Sequence, residues 1–161
     1  MNTGTQLEWV QISNDVDWVN VWSELGPMLD EHRQAWEMLY TKAHFAEMVR
    51  SGDMQLWRVY STETGKTLTF ILTQVTKYPK QRVAEVILAI GKEFTDHLHL
   101  ITFMEQVAVY YNLKLIRFTG RLAWKKLLRH YGYSLRDANY YRELEGDTIN
   151  MIPVEKTNGF Q

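Results

Sequence analysis

The stretch Arg82–Arg142 reads RVAEVILAI–GKEF–TDHLHLITFMEQVAVYYN–LKLIRFTG–RLAWKKLLRHYG–YSLRDANYYR, and its hydrophobic pattern changes period from piece to piece. Val83–Ile90 is an aliphatic, β-branched run and is expected as a strand. Gly91–Phe94 is a loop. In Thr95–Asn112 the residues Leu98, Ile101, Glu105 and Ala108 trace one helical line, widened by Leu100, Phe103, Met104, Val107 and Tyr111. Lys114–Thr119 is again a strand, Arg121–Tyr131 a helix and Tyr133–Leu144 a last strand. A helix between two strands is the crossover that a parallel pair requires. The strand 114–119 is therefore expected to lie parallel to 82–90.

Upstream, Met54–Ser61 and Thr67–Thr76 have strand composition, with turns at Glu63–Lys66 and Lys77–Lys80. With Val83–Ile90 they make an antiparallel meander. Trp9–Ile12 alternates and forms a short first strand. Between them, Trp18, Val21, Trp22 and Leu25 share a helical face from Asp15 onward, and Gly26-Pro27 is expected to stop that helix. Thr41 caps a further helix carrying Phe45, Met48 and Val49 and ending at Gly52. The predicted class is α+β or α/β, with a mixed, mostly antiparallel sheet flanked by helices. One domain spans residues 1–145, and 146–161 form a C-terminal extension.

A chain of 161 residues suffices for one self-supporting core, burying about 70% of its unfolded surface. There is no cysteine, which excludes disulfides and thiolate metal sites. Net charge is −1, which argues against nucleic acid as a partner. No apolar run reaches a membrane span of about 20 residues. The start, Met1-Asn2-Thr3-Gly4, lacks the basic and apolar regions of a signal peptide. His97 and His99 stand two apart on an expected helix and point to opposite sides, so no metal site is expected.

The order strand, two helices, three-stranded meander, helix, strand, helix, strand resembles the GNAT superfamily of N-acetyltransferases over roughly residues 7–144. The best local match is Arg121–Tyr133, against the superfamily's Asn-x-x-Ala-x-x-Leu-Tyr-x-x-x-Gly-Phe. Leu127 and Gly132-Tyr133 fit. Arg121 stands for the Asn, Trp124 for the Ala and Leu128 for the Tyr. That Tyr commonly protonates the leaving thiolate, and Leu has no proton to donate. The segment is also similar to small acetyltransferase-like proteins of tailed phages, through Tyr78-Pro79-Lys80 and Gly120-Arg121-Leu122-Ala123-Trp124.

The resemblance implies an acetyl-coenzyme A loop after the central strand, normally Gln/Arg-x-x-Gly-x-Gly/Ala. Here Gly91, Lys92 and Thr95 occupy it, with Arg121 beyond. The bulky Phe94 and the acids Glu93 and Asp96 oppose a phosphate site. Glu85 on the central strand matches the place where some acetyltransferases carry a general base. It shares a side with Val83, Ile87 and Ala89 on simple alternation, and Arg82 or Arg117 offer it an ion pair. Arg121, Lys125 and Arg129 form a basic stripe at i, i+4, i+8, fit for phosphates, an acidic partner or plain solvation.

Two functions stay open. The first, preferred on the motifs, is a phage-type interaction module in a virion or the host cytoplasm, with no cofactor and no turnover. Its protein partner in an assembly would be held by the basic stripe and by Met151, Ile152 and Val154 of the extension. The alternative is an acetyl-coenzyme A-dependent N-acetyltransferase. Fold alone does not choose between them.

Overall fold

The computed structural model describes residues 4–91, 99–118, 125–136 and 142. A five-stranded sheet is built from β1 (Thr5–Val10), β2 (Gln55–Ser61), β3 (Thr67–Lys77), β4 (Arg82–Gly91) and β5 (Ile116–Phe118), in that spatial order. β1 to β4 are antiparallel neighbours, and β5 lies parallel to β4, as the crossover requires. The helices are α1 (Asp15–Glu31), α2 (Lys42–Ser51), α3 (Ile101–Tyr110) and α4 (Lys125–His130), with a 3-10 turn at Arg33–Ala35. None of the described helices is long and apolar enough to cross a membrane.

α1 and α2 cover one face. Leu25, Leu29, Trp36, Phe45 and Val49 pack there on Leu56, Phe70, Leu72, Leu88 and Ile90. α3 covers the other, with Ile101 and Met104 over Trp57, Ile71 and Val86. α2 begins where the Thr41 hydroxyl accepts the His44 amide, 3.1 Å, and ends at Gly52 with φ 84°, a conformation that favours glycine.

Several expectations are corrected. α1 does not stop at Gly26-Pro27 but runs on to Glu31 with Pro27 inside it. Leu25 and Leu29 flank the proline on one helical face and are both fully buried, and that burial outweighs the lost backbone bond. Gly26 leaves room for the Trp22 ring, which lies only 3.3 Å from where a Cβ would stand. β1 is earlier and longer than Trp9–Ile12, because Thr5 to Val10 pair continuously with Ser61 to Leu56. Only one side of α3 is buried, while Phe103, Val109, Tyr110 and Tyr111 are exposed. Residues 133–136 are in no strand, and the rest of the expected last strand lies outside the described residues.

The alternation of β4 also breaks. Leu72 pairs with Leu88 but Thr73 pairs with Val86, so Ile87 is an extra residue in a β-bulge. Val86 and Ala89 therefore face α3, whereas Leu88 and Ile90 face α1 and α2. Glu85 precedes the bulge and points to the side of Leu88 and Ile90, opposite Ala89. The expected alignment of Glu85 with Ala89 fails because the bulge inverts the period between them.

Candidate active site at the carboxyl end of a parallel strand pair

Among the described residues β4 and β5 pair at Ala84 with Ile116, Glu85 with Arg117 and Val86 with Phe118. β4 runs on to Gly91, with its bulge at Ile87, the residue after Val86. The carboxyl end of a parallel pair is the usual position for a ligand in a sheet with helical crossovers.

Glu85, paired with Arg117, is 6% exposed. Tyr78, from the β3–β4 turn, donates its hydroxyl to Glu85 Oε1 at 2.5 Å. Arg117 Nη2 stands 3.5 Å from Oε2, and its guanidinium lies 5.9 Å from the centre of the Tyr78 ring. The bond to Glu85, and secondarily burial, raise the Tyr78 pKa above its ordinary value, since ionising the phenol would place two anions together. Arg82, the other partner considered for Glu85, instead donates to the Tyr111 carbonyl at 3.0 Å.

On the α3 side, Tyr133 donates to Glu105 Oε2 at 2.8 Å and meets Phe118 edge to face at 5.2 Å. Burial, reinforced by the Glu105 bond, raises the Tyr133 pKa. Leu128 packs against the cluster of Trp57 and Ile71. The position where the superfamily motif carries a proton-donating Tyr is thus a half-buried apolar contact.

Gly91 has a local structural cause. Its φ is 130°, and a Cβ there would stand 2.3 Å from the Leu68 carbonyl oxygen and 2.7 Å from Thr69 Cα. The close approach of β3 requires glycine with or without a phosphate nearby. Arg129 is exposed on α4, the helix that also carries Lys125. Lys92, Thr95, Arg121, Met151, Ile152 and Val154 lie outside the described residues. The site residue that sequence reasoning missed is Tyr78, read there as part of a turn and of a resemblance motif but given no role at a site. Its signal was its even spacing with Gln74 and Thr76 at the end of β3, which puts all three on the face of Glu85.

A groove of about 270 Å³ between the end of β1 and the end of α2 lies at the opposite edge of the sheet. Its only cation, Arg50, is already bonded to Asp15 at 2.7 Å.

No protein-family model matches this chain, and no curated protein matches its sequence. Solved structures do resemble it. A probable acetyltransferase superposes with a TM-score of 0.66 at 14% identity, over 87% of this chain and 98% of that one. Glucosamine-6-phosphate N-acetyltransferase from Arabidopsis thaliana gives 0.61 at 9% identity, over 88% and 99%. A GNAT family acetyltransferase from Staphylococcus aureus gives 0.58 at 10% identity, over 88% and 100%. A mixed sheet in this order, a β5 parallel to a bulged β4, and these likenesses together establish that the chain has the fold of the GNAT acetyltransferases.

Proposed function

We propose that the protein binds an acyl-coenzyme A thioester at the carboxyl end of the β4–β5 pair and transfers the acyl group to an amine. The single observation that carries this is the buried Glu85 carboxylate, bonded to Tyr78 and beside Arg117, two residues before the β4 bulge at Ile87. Leu88–Gly91 would hold the pantetheine arm through backbone donors and acceptors, and the thioester would supply an activated carbonyl. Glu85 is the carboxylate placed to accept the proton of an attacking amine. Arg117 sets a positive charge 3.5 Å from Oε2 of that carboxylate.

The expectation of no cofactor rested on the loop after β4 and on Leu128. Leu128, half-buried against the cluster under α3, still favours the interaction-module reading, since it leaves that position without a proton donor. The leaving thiolate, with an ordinary thiol pKa of about 8.5, nevertheless departs without obligatory protonation near neutral pH.

Titration with acetyl-coenzyme A tests the proposal. Micromolar binding by calorimetry is expected. Ligand at about 100 times its Kd should add about 2.7 kcal/mol of stability, read as a higher Tm. A thiol-release assay over a panel of primary amines should then show acceptor-dependent turnover. No binding and no rise in Tm would overturn this reading in favour of the interaction module.

A further inference from the structure

We propose that Tyr78 is a positioning residue for Glu85, fixing one carboxylate oxygen so that the other is presented to the amine acceptor; this rests on the acyltransferase reading above. The β3–β4 turn is closed by the Tyr78 amide donating to the Gln81 carbonyl at 2.9 Å, and Pro79 stiffens it. Four residues separate the level of Gln81 from Glu85, about 13 Å along a strand. The two side chains span that distance by reaching toward each other along one face of the sheet. They meet over the position of Val83, which is 4% exposed.

The contacts on the two oxygens are unequal. Oε1 takes the Tyr78 hydroxyl at 2.5 Å, while Oε2 has the longer approach of Arg117 at 3.5 Å. Gln74, the β3 residue paired with Glu85, is neutral, so among the described residues Tyr78 and Arg117 are the titratable and charged groups in contact with it. Arg117 is held in turn by its position over the Tyr78 ring. Tyr78 thus orients both the base and the cation that stabilises it, and it is itself 38% exposed and outside both hydrophobic clusters.

In the step this geometry serves, the amine nitrogen attacks the thioester carbonyl and forms the N–C bond. Its proton passes to Glu85 Oε2. The C–S bond breaks with its electron pair on sulfur, and the thiolate leaves. Tyr78 keeps its proton throughout.

The test compares wild type, Tyr78→Phe and Glu85→Gln, with acetyl-coenzyme A and the best primary amine of the panel. The Phe variant keeps the ring over Arg117 and loses only the hydroxyl. The Kd for acetyl-coenzyme A is expected to stay within twofold of wild type in both variants. In Tyr78→Phe, kcat should fall roughly tenfold or more, within the range of acid–base contributions. The acidic limb of its kcat/KM against pH should also move. In Glu85→Gln that limb should vanish. Ultraviolet titration supplies a readout without turnover: the tyrosinate signal that Tyr78→Phe removes should shift to lower pH in Glu85→Gln. Wild-type kcat and an unchanged pH profile in Tyr78→Phe would overturn the positioning role while leaving acyl transfer intact. Failure of the wild type to bind or turn over the thioester would overturn both.

Discussion

At the scale of single residues, the side chains that matter are set by close neighbours in the fold rather than by motif. Gly91 is the clearest. Gly91→Ala must adopt φ near 130° and push the Leu68 carbonyl away. A cost of about 3 kcal/mol in chemical denaturation is expected from that strain. A cost below 1 kcal/mol would show that β3 yields and that glycine is needed there for something else. Tyr133 gives a second test. Removing its bond to Glu105 with Tyr133→Phe should cost about 1 kcal/mol at neutral pH. Its pKa is raised in the fold, so the neutral phenol is the stabilised form. The contribution is present in full below the ordinary tyrosine pKa of 10.0 and is lost as pH rises above it. The stability gap between wild type and Tyr133→Phe should therefore narrow from pH 9 to pH 12, and a constant gap would contradict it.

At the scale of elements, α1 shows how tertiary burial overrides local propensity. Gly26-Pro27 is a sound stop signal in isolation, yet Leu25 and Leu29 on either side of Pro27 are both fully buried. Pro27 is exposed, so replacing it relieves the helix without emptying the core. Pro27→Ala is expected to raise stability by about 1 kcal/mol or more, read as a higher Tm. A lower Tm would mean that the proline shapes α1 for its packing. The exposed side of α3 carries the same lesson in reverse. Its composition is apolar nearly all round, but one helix on one sheet face buries only one stripe, here Ile101, Met104 and Ala108.

At the scale of the whole molecule, the sheet separates two cores that should respond independently. Ile90 belongs to the cluster under α1 and α2, and Ile101 to the cluster under α3. Ile90→Val and Ile101→Val should each cost about 0.5–1.5 kcal/mol, and the double variant should match their sum within about 0.5 kcal/mol. A larger departure would reveal coupling through β4.

By itself the sequence determined the order of elements from β1 to α4, the antiparallel meander, the parallel placement of β5 and the cap residues Thr41 and Gly52. These depend on local period, turn chemistry and the rule that a crossover needs a helix. It also located Glu85 and offered Arg117 as its partner, since neighbouring strands bring such charges together. Tertiary structure alone decided the bulge at Ile87, the side on which Glu85 lies, the reach of Tyr78 across seven residues and the continuity of α1 through Pro27. A bulge is a mismatch between two strands, and neither strand encodes it alone. Burial of Leu25 and Leu29 likewise exists only once α1 meets the sheet.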